Sequence, residues 1–314
     1  MIDLSPIDAF LAPHHRELAR AVDAFAAAEI APLPHPADDA AGREQGRDIL
    51  RRLGDGGWSA WTVPKRWGGK AESRPRDSGR TVDFDLRACC LIREALGHAS
   101  PLADSIFALQ GLGSLPLTLA ADEAVRERWL PAVAKGAAMA GFALTEPEAG
   151  SDPAGMRTRA VRGGDGWRID GHKIFISNAG LADFYTLFAA TDRQAGHRGI
   201  SAFVVPGDTP GLSFRPQRLS APHPLGELFL KACRLPADAL IGAEGQGFKL
   251  ALTTLDRLRA TVAAAACGMA TRALDEALSH AKARRQFGKP LADFQLIQQK
   301  IARMATDLTA ARLL

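Results

Sequence analysis

Cysteine is scarce in this chain, at four in 314 residues with no CxxC pair, which excludes a disulfide framework and a structural zinc site. Cys89 and Cys90 are neighbours in an apolar helical run and read as packing residues. Charge of one sign is also lacking: 39 Lys and Arg stand against 35 Asp and Glu, a net of +4, spread without a long basic run. No basic stripe interleaves with aromatics, so no nucleic-acid partner is expected. Long hydrophobic runs are missing too. The small-apolar stretch around residues 260–270 is about half of the ~20 residues that span a bilayer. The opening MIDLSPIDAF has no basic region ahead of an apolar core, unlike a secretory signal. A soluble cytoplasmic protein with no membrane partner is the expectation. GxSxG, HExxH, Walker A and GxGxxG are all absent, which removes the commonest hydrolase, zincin, P-loop and dinucleotide signatures. His14-His15 has the look of a metal pair but lies in a polar N-terminal helix, and no metal site is expected.

What is present is an ordinary globular composition, 46% apolar and 24% charged, enough for two or three packed units. Residues 1–136 read as an N-terminal helical domain. Leu18, Val22, Phe25 and Ile30 fall roughly on one face, residues 82–96 and 104–112 are apolar helical runs, and residues 122–135 begin on Asp-Glu and stop at Lys135-Gly136. Between them, Gly68 to Gly79 is polar, rich in Gly and Pro, and reads as a surface loop. Residues 137–236 read as a central antiparallel β-sandwich or barrel: short strands at 138–145, 157–161, 167–170, 173–177, 185–191, 201–205 and 228–234, separated by turn chemistry such as Gly163-Gly164-Asp165-Gly166, Asp170-Gly171 and Pro206-Gly207-Asp208. Residues 237–314 return to helix. Leu255, Leu258, Val262, Ala265 and Met269 step by three and four. After a break at Gly288-Lys289-Pro290, with Asp293 as a cap, Phe294, Ile297, Ile301, Met304, Leu308 and Ala311 form a narrow helix–helix seam. The seam calls for a partner, so the C-terminal helical bundle reads as incomplete. The fold class expected is α+β.

Two segments carry chemistry. FALTEPEAGSD, Phe142 to Asp152, ends a strand at Thr145 and turns at Pro147 and Gly150 into a loop with small hydroxyls and exposed backbone N–H groups; KIFISN, Lys173 to Asn178, follows. Such a loop suits a planar heterocycle or a carbonyl, and an ordinary strand-exit turn explains it equally well. RRQFGKPLADFQ, Arg284 to Gln295, reads by itself as a helix stop, with Gly288 as the residue after the cap and Pro290 beyond it.

Together the two segments, in the order helical, β, helical, resemble the acyl-CoA dehydrogenases. The resemblance runs along essentially the whole chain, and the AGSD and RxxFG segments are specific to that superfamily. It implies an N-terminal helical domain, a central β-domain and a C-terminal four-helix bundle, in a homo-oligomer, a tetramer or a dimer. It implies FAD as cofactor, oxidation of an acyl-CoA thioester to the 2,3-enoyl-CoA in fatty acid metabolism, and an electron-transfer flavoprotein as acceptor. Phe142, Leu144, Thr145, Gly150, Ser151, Phe175 and Ser177 match positions at the flavin. Phe and Ser stand where many members have Trp and Thr, and Phe can still stack while Ser can still donate one hydrogen bond. Arg284, Phe287 and Gln295 match positions that hold the FAD of a neighbouring subunit. Ser151, Asp256 and Arg259 match positions at the substrate cleft. Asp104, Ser105 and Ala108 fall where the distal acyl pocket is often lined, although an exposed helix-start Asp is the plainer reading of Asp104.

The resemblance also implies a departure. Most members carry the catalytic Glu beyond the part matched here, so the base is expected beyond Leu314. A minority carry it at the position of Leu258, which cannot take a proton. Ser220 to Leu225, SAPHPL, departs from the Gly-Arg-Ser type segment of many members. The reading that follows is a flavin-dependent dehydrogenase whose 314 residues alone are inactive. A non-catalytic flavin- or acyl-CoA-binding remnant stands beside it, and an oxygen-using relative is a third reading.

Overall fold

A computed structural model describes residues 3–71, 73–75, 81–83, 85–221 and 223–314, with the backbone alone at 73–75 and 81–83. The expected loop at 68–79 falls partly outside the described residues. Its described part departs from a plain surface loop: Ala71 is fully buried, and β1 (Ser73–Pro75), inside the range, pairs antiparallel with β2 (Thr81–Asp83). The chain forms two compact units: residues 34–85 with 105–258, and residues 1–33 with 86–104 and 259–314. All five tryptophans, at 58, 61, 67, 129 and 167, and the single tyrosine, Tyr185, belong to the first of these.

The larger unit is built on an eight-stranded sheet. Its strands are β3 (Ala140–Ala143), β4 (Arg159–Gly163), β5 (Gly166–Ser177), β6 (Phe184–Ala190), β7 (Ile200–Pro206), β8 (Leu212–Pro216), β9 (Leu225–Pro236) and β10 (Leu240–Ile241). The order is β10-β7-β6-β4-β5-β9-β8, with β3 alongside β6. Most pairs are antiparallel, but β3 runs parallel to β6, and β4 meets β6 in parallel at Arg159. The two stretches expected at 167–170 and 173–177 are one strand. Asp170-Gly171 is not a turn. It is a register shift against β9, where the Asp170 carboxylate accepts from the Ala232 N–H at 2.7 Å. Gly171 is required there, because a Cβ would sit 2.2 Å from the Thr158 hydroxyl. The core between the strands is apolar, with Phe184, Leu187, Phe188, Phe203 and Ile169 fully buried.

Helices cover this sheet. In α2 (Asp39–Asp55) the N-cap Asp38 accepts from the Ala41 N–H. Within the same unit lie α5 (Glu123–Ala134) and the later part of α4 (Pro101–Ala120). Gly113 lets α4 approach β3 closely: a Cβ there would meet the Ala140 Cβ at 2.6 Å. Gln110 accepts from the Ala140 N–H at 3.1 Å, and the Thr186 hydroxyl donates to the Gly113 carbonyl at 2.7 Å. These bonds fix the strand that leads into FALTEPEAGSD. Among the described residues α4 is the one helix long and apolar enough to cross a membrane, and most of it is buried in the protein.

The smaller unit is helical: α1 (Pro13–Phe25), α3 (Leu86–Ala99), the start of α4, the later part of α6 (Gly247–Ala283) and α7 (Gln295–Leu313). Gly97 and Gly268 allow close crossings, since a Cβ on either would fall within 2.8 Å or 2.0 Å of a backbone carbonyl. Asp104 is no exposed helix-start residue. It is 3% exposed and takes two hydrogen bonds from the Arg93 guanidinium, at 2.7 and 2.8 Å, while Arg93 also donates to Thr261 at 2.9 Å. The break at Gly288 is a two-residue hairpin, β11 (Arg285–Gln286) against β12 (Lys289–Pro290). Asp293 does not cap α7; Phe294 holds the N-cap position without a side-chain bond. Along the seam, Phe294, Ile297 and Ile301 are half-buried, Leu308 is buried and Met304 is exposed.

Candidate active site

The two β-domain motifs meet edge to edge. The Thr145 carbonyl accepts from the Ile174 N–H at 3.0 Å, which sets the loop after β3 against the bulge in β5, where the register with β9 shifts between Lys173 and Ile176. Phe175 takes a left-handed backbone, φ 58°, at this bulge. Such a conformation is strained for a bulky residue, and it leaves the ring 61% exposed. The Phe175 N–H is held by Gln217 Oε1 at 3.1 Å.

Beneath the loop lies a buried ion pair. Lys173 Nζ donates to Glu146 Oε1 at 2.8 Å and to the Leu144 carbonyl at 3.0 Å. Both side chains are buried, with Lys173 fully so. Glu146 also accepts from the backbone N–H of Arg157 at 2.5 Å and of Thr158 at 3.0 Å. Burial pulls the Lys173 ammonium down to about 8, against the pull of Glu146. Burial pushes the Glu146 carboxyl up, but Lys173 and the hydrogen bonds from residues 157 and 158 outweigh it and hold the group below its ordinary value. One carboxylate thus ties both ends of the loop 146–158. Glu146 is committed to this network and is not free to act as a base.

The remaining expected residues divide into exposed and packed sets. The Thr145 and Ser151 hydroxyls have no hydrogen-bond partner among the described residues. Gly150 is exposed, and a Cβ on it would meet nothing within 4 Å, so its smallness serves no packing against the described residues. Phe142 is half-buried and stacks tilted on Phe188, with centroids 5.1 Å apart. Leu144 is buried, so it offers the loop its backbone. Ser177, half-buried, bonds His223 Nε2 through its hydroxyl at 3.0 Å. An exposed aromatic ring, open hydroxyls and an open glycine on one edge form a donor set that fits a planar heterocycle with polar edges.

In the smaller unit the helix break presents Arg284, Phe287 and Gln295 outward. Phe287 is 92% exposed with φ 52°, and its ring meets Phe294 edge-on at 6.3 Å. The Arg284 and Gln295 side chains have no partner among the described residues. On α6, Asp256 and Arg259 are one turn apart and exposed, whereas Leu258 is buried against Gly111, where a Cβ would come within 3.9 Å of the leucine methyls.

Two features escaped the sequence reading. Lys173 is one, although it continues the inward alternation of Trp167, Ile169 and Gly171 in β5, and a lysine at an inward position signals a buried partner. His223 is the other. It lies in SAPHPL, and only that segment's departure from the family pattern marked it.

Three family models match the chain: the acyl-CoA dehydrogenase N-terminal domain over residues 12–137, the middle domain over 141–233 and the C-terminal domain over 245–314. The probable acyl-CoA dehydrogenase fadE25 of Mycobacterium leprae is 40% identical over 311 residues, covering 98% of this chain and 76% of that protein. A glutaryl-coenzyme A dehydrogenase solved with glutaryl-CoA superposes with a TM-score of 0.87 at 32% identity, over 96% of this chain and 75% of that one. The glutaryl-CoA dehydrogenase of Mycobacterium smegmatis, solved with FADH2, gives 0.81 at 30% identity, over 98% and 75%.

Proposed function

Because the chain belongs to the acyl-CoA dehydrogenase family, whose members are FAD-dependent and oxidise acyl-CoA thioesters, we propose that it converts an acyl-CoA to the 2,3-enoyl-CoA by loss of an α-proton and a β-hydride. The observation that carries this reading is the Ile174–Thr145 hydrogen bond, which joins the two motif segments into one edge bearing Phe175, Thr145, Gly150 and Ser151. Thr145, Gly150, Ser151, Phe175 and Ser177, with the backbone of Phe142 and Leu144, hold FAD on that edge. Arg284, Phe287 and Gln295 hold the FAD of a second subunit in a homo-oligomer. FAD supplies the hydride acceptor. The chain's own work is orientation: the exposed Phe175 ring stacks on the heterocycle, the loop hydroxyls bond its polar edge, and Ser151 and Asp256 bind the acyl-CoA.

Proton abstraction needs a carboxylate at close range. Glu146 is bound to Lys173, and buried Leu258 stands at the position on α6 that some relatives use. We place the base outside these 314 residues, and the 314-residue polypeptide is then slow even with FAD bound. Electrons pass to an electron-transfer flavoprotein in the cytoplasm, as part of fatty acid metabolism.

The test is anaerobic mixing of the FAD-loaded protein with short, branched and aromatic acyl-CoAs while flavin absorbance is followed. The 314-residue chain should bleach slowly. Leu258→Glu should speed bleaching, by up to the ~10²–10⁴-fold that general-base help supplies. Ordinary rates in the unaltered chain would show that a base lies within it.

A further inference from the structure

Ser177 does not face the flavin edge alone. Its Oγ lies 3.0 Å from His223 Nε2, and the segment bearing His223 is sewn onto the end of β5. The Asn178 N–H donates to the Pro224 carbonyl at 2.6 Å, the Gln217 N–H to the Leu225 carbonyl at 3.0 Å, and Gln217 Oε1 takes the Phe175 N–H at 3.1 Å. From α2, Arg43 donates to the carbonyls of Ala179 and Leu225, on either side of the contact, and pairs with Asp39 at 2.7 Å. Burial first, and Arg43 second, pull the His223 imidazole below its ordinary value, against a smaller opposing pull from Asp39, so the ring is neutral near pH 7. A neutral imidazole offers one acceptor and one donor nitrogen. Whichever role Nε2 takes, it fixes the rotor of the Ser177 hydroxyl and so decides whether that oxygen presents its proton or its lone pairs.

We propose that His223 is a positioning residue for the flavin, holding the Ser177 hydroxyl in a single hydrogen-bonding sense toward the cofactor's polar edge. The inference rests on the reading that Ser177 lies at FAD. A free serine hydroxyl samples three staggered rotor positions, and one locked by a second partner binds without that loss.

Titration of apoprotein with FAD, followed by quenching of flavin fluorescence, tests it. Ser177→Ala and His223→Phe should each weaken FAD binding by about 3- to 10-fold, the range of one hydrogen bond. The double variant should be no weaker than Ser177→Ala alone, because without the Ser177 hydroxyl His223 has nothing to orient. His223→Gln, whose amide can donate or accept, should recover most of the loss, and His223→Asn, too short to reach, should not. Thermal melts identify any variant that fails to fold, and the Gln and Asn pair then carries the test. Multiplying losses in the double variant, or His223 variants that bind as the parent does while Ser177→Ala is weakened, would overturn the positioning role and leave the flavin site standing. Failure of the flavin reading looks different: FAD would not bind at all, or Ser177→Ala would bind as tightly as the parent, and the positioning role would fall with it. Ring ¹⁵N shifts of His223 in apoprotein, which should move in Ser177→Ala, test the bond itself; unmoved shifts overturn the proposal whatever FAD does.

Discussion

Lys173 is fully buried and Phe287 is 92% exposed, and the two residues mark opposite ways of presenting a motif. The β-domain loop is held from below: a buried carboxylate takes an ammonium and two backbone N–H groups, so the loop keeps its shape on the strength of the chain's own contacts. The hairpin at the helix break is held by its two-residue pairing, by the Leu291 N–H on the Arg284 carbonyl at 2.8 Å and by contacts among exposed side chains such as Phe287 on Phe294, and it offers an aromatic ring and a guanidinium outward. A buried pair makes a rigid platform at the cost of desolvation. An exposed apolar tip forgoes the stabilisation that burial would give its ring. The difference teaches that equally specific sequence signatures can demand opposite physical treatment.

Breaking the buried pair should have the largest effect. Lys173→Met leaves Glu146 charged and without its cation, and a loss of about 3–5 kcal/mol in unfolding free energy is expected, read by urea denaturation. Retention of parental stability would mean that the backbone N–H groups alone suffice. The pair should also shape the pH dependence. The native Glu146 carboxyl lies below its ordinary 4.5, so the unfolded chain binds more protons, and the stability it contributes is present above about pH 4.5 and lost as the pH falls through the native value. Lys173, lowered from 10.5 to about 8, again leaves the unfolded chain with more protons between those values, so stability gains from this group as the pH rises across that window. Denaturation midpoints from pH 3 to 10 should show both slopes in the parent, and Lys173→Met should lack the alkaline one.

The hairpin should answer in ligand binding and not in stability. Arg284→Ala should weaken FAD binding by about 10- to 100-fold, the scale of a charge-assisted hydrogen bond, measured by fluorescence titration; an unchanged dissociation constant would remove Arg284 from the site. The smallest stability effect is expected at Phe287→Ala, within about 0.5 kcal/mol of the parent, with weaker FAD retention on gel filtration. A large fall in melting temperature would show that the ring packs within the chain after all.

Much of this was legible beforehand. The strands at 184–190 and 200–206 stand near their expected places because their turns carry Pro-Gly-Asp chemistry and their interiors are apolar. The misreading at Asp170-Gly171 is physical: a glycine demanded by a neighbouring threonine looks the same in sequence as one demanded by a turn. No periodicity marked α2, because its buried face contains Gly42 and Gly46 as well as Ile49, Leu50 and Leu53, and glycine adds nothing to an apolar pattern. At the site, the residues that present themselves outward came from the family resemblance. The pairs behind them, Lys173 with Glu146 and His223 with Ser177, join residues 27 and 46 apart in the chain; the alternation in β5 marks Lys173 as inward, but no local pattern names either partner. Asp104 was misjudged for the same reason, since its partner Arg93 lies on another helix.

The unequal placing of the indole and phenol rings has an optical consequence. Every tryptophan and the one tyrosine sit in the unit of residues 34–85 and 105–258, and the unit of residues 1–33, 86–104 and 259–314 has none. Emission excited at the indole band is therefore blind to the second unit, while far-ultraviolet dichroism is weighted toward it because it is nearly all helix. A melt followed both ways separates the two units without any label. Coincident curves mean that they unfold as one cooperative block, and divergent curves assign each transition to its unit by colour alone.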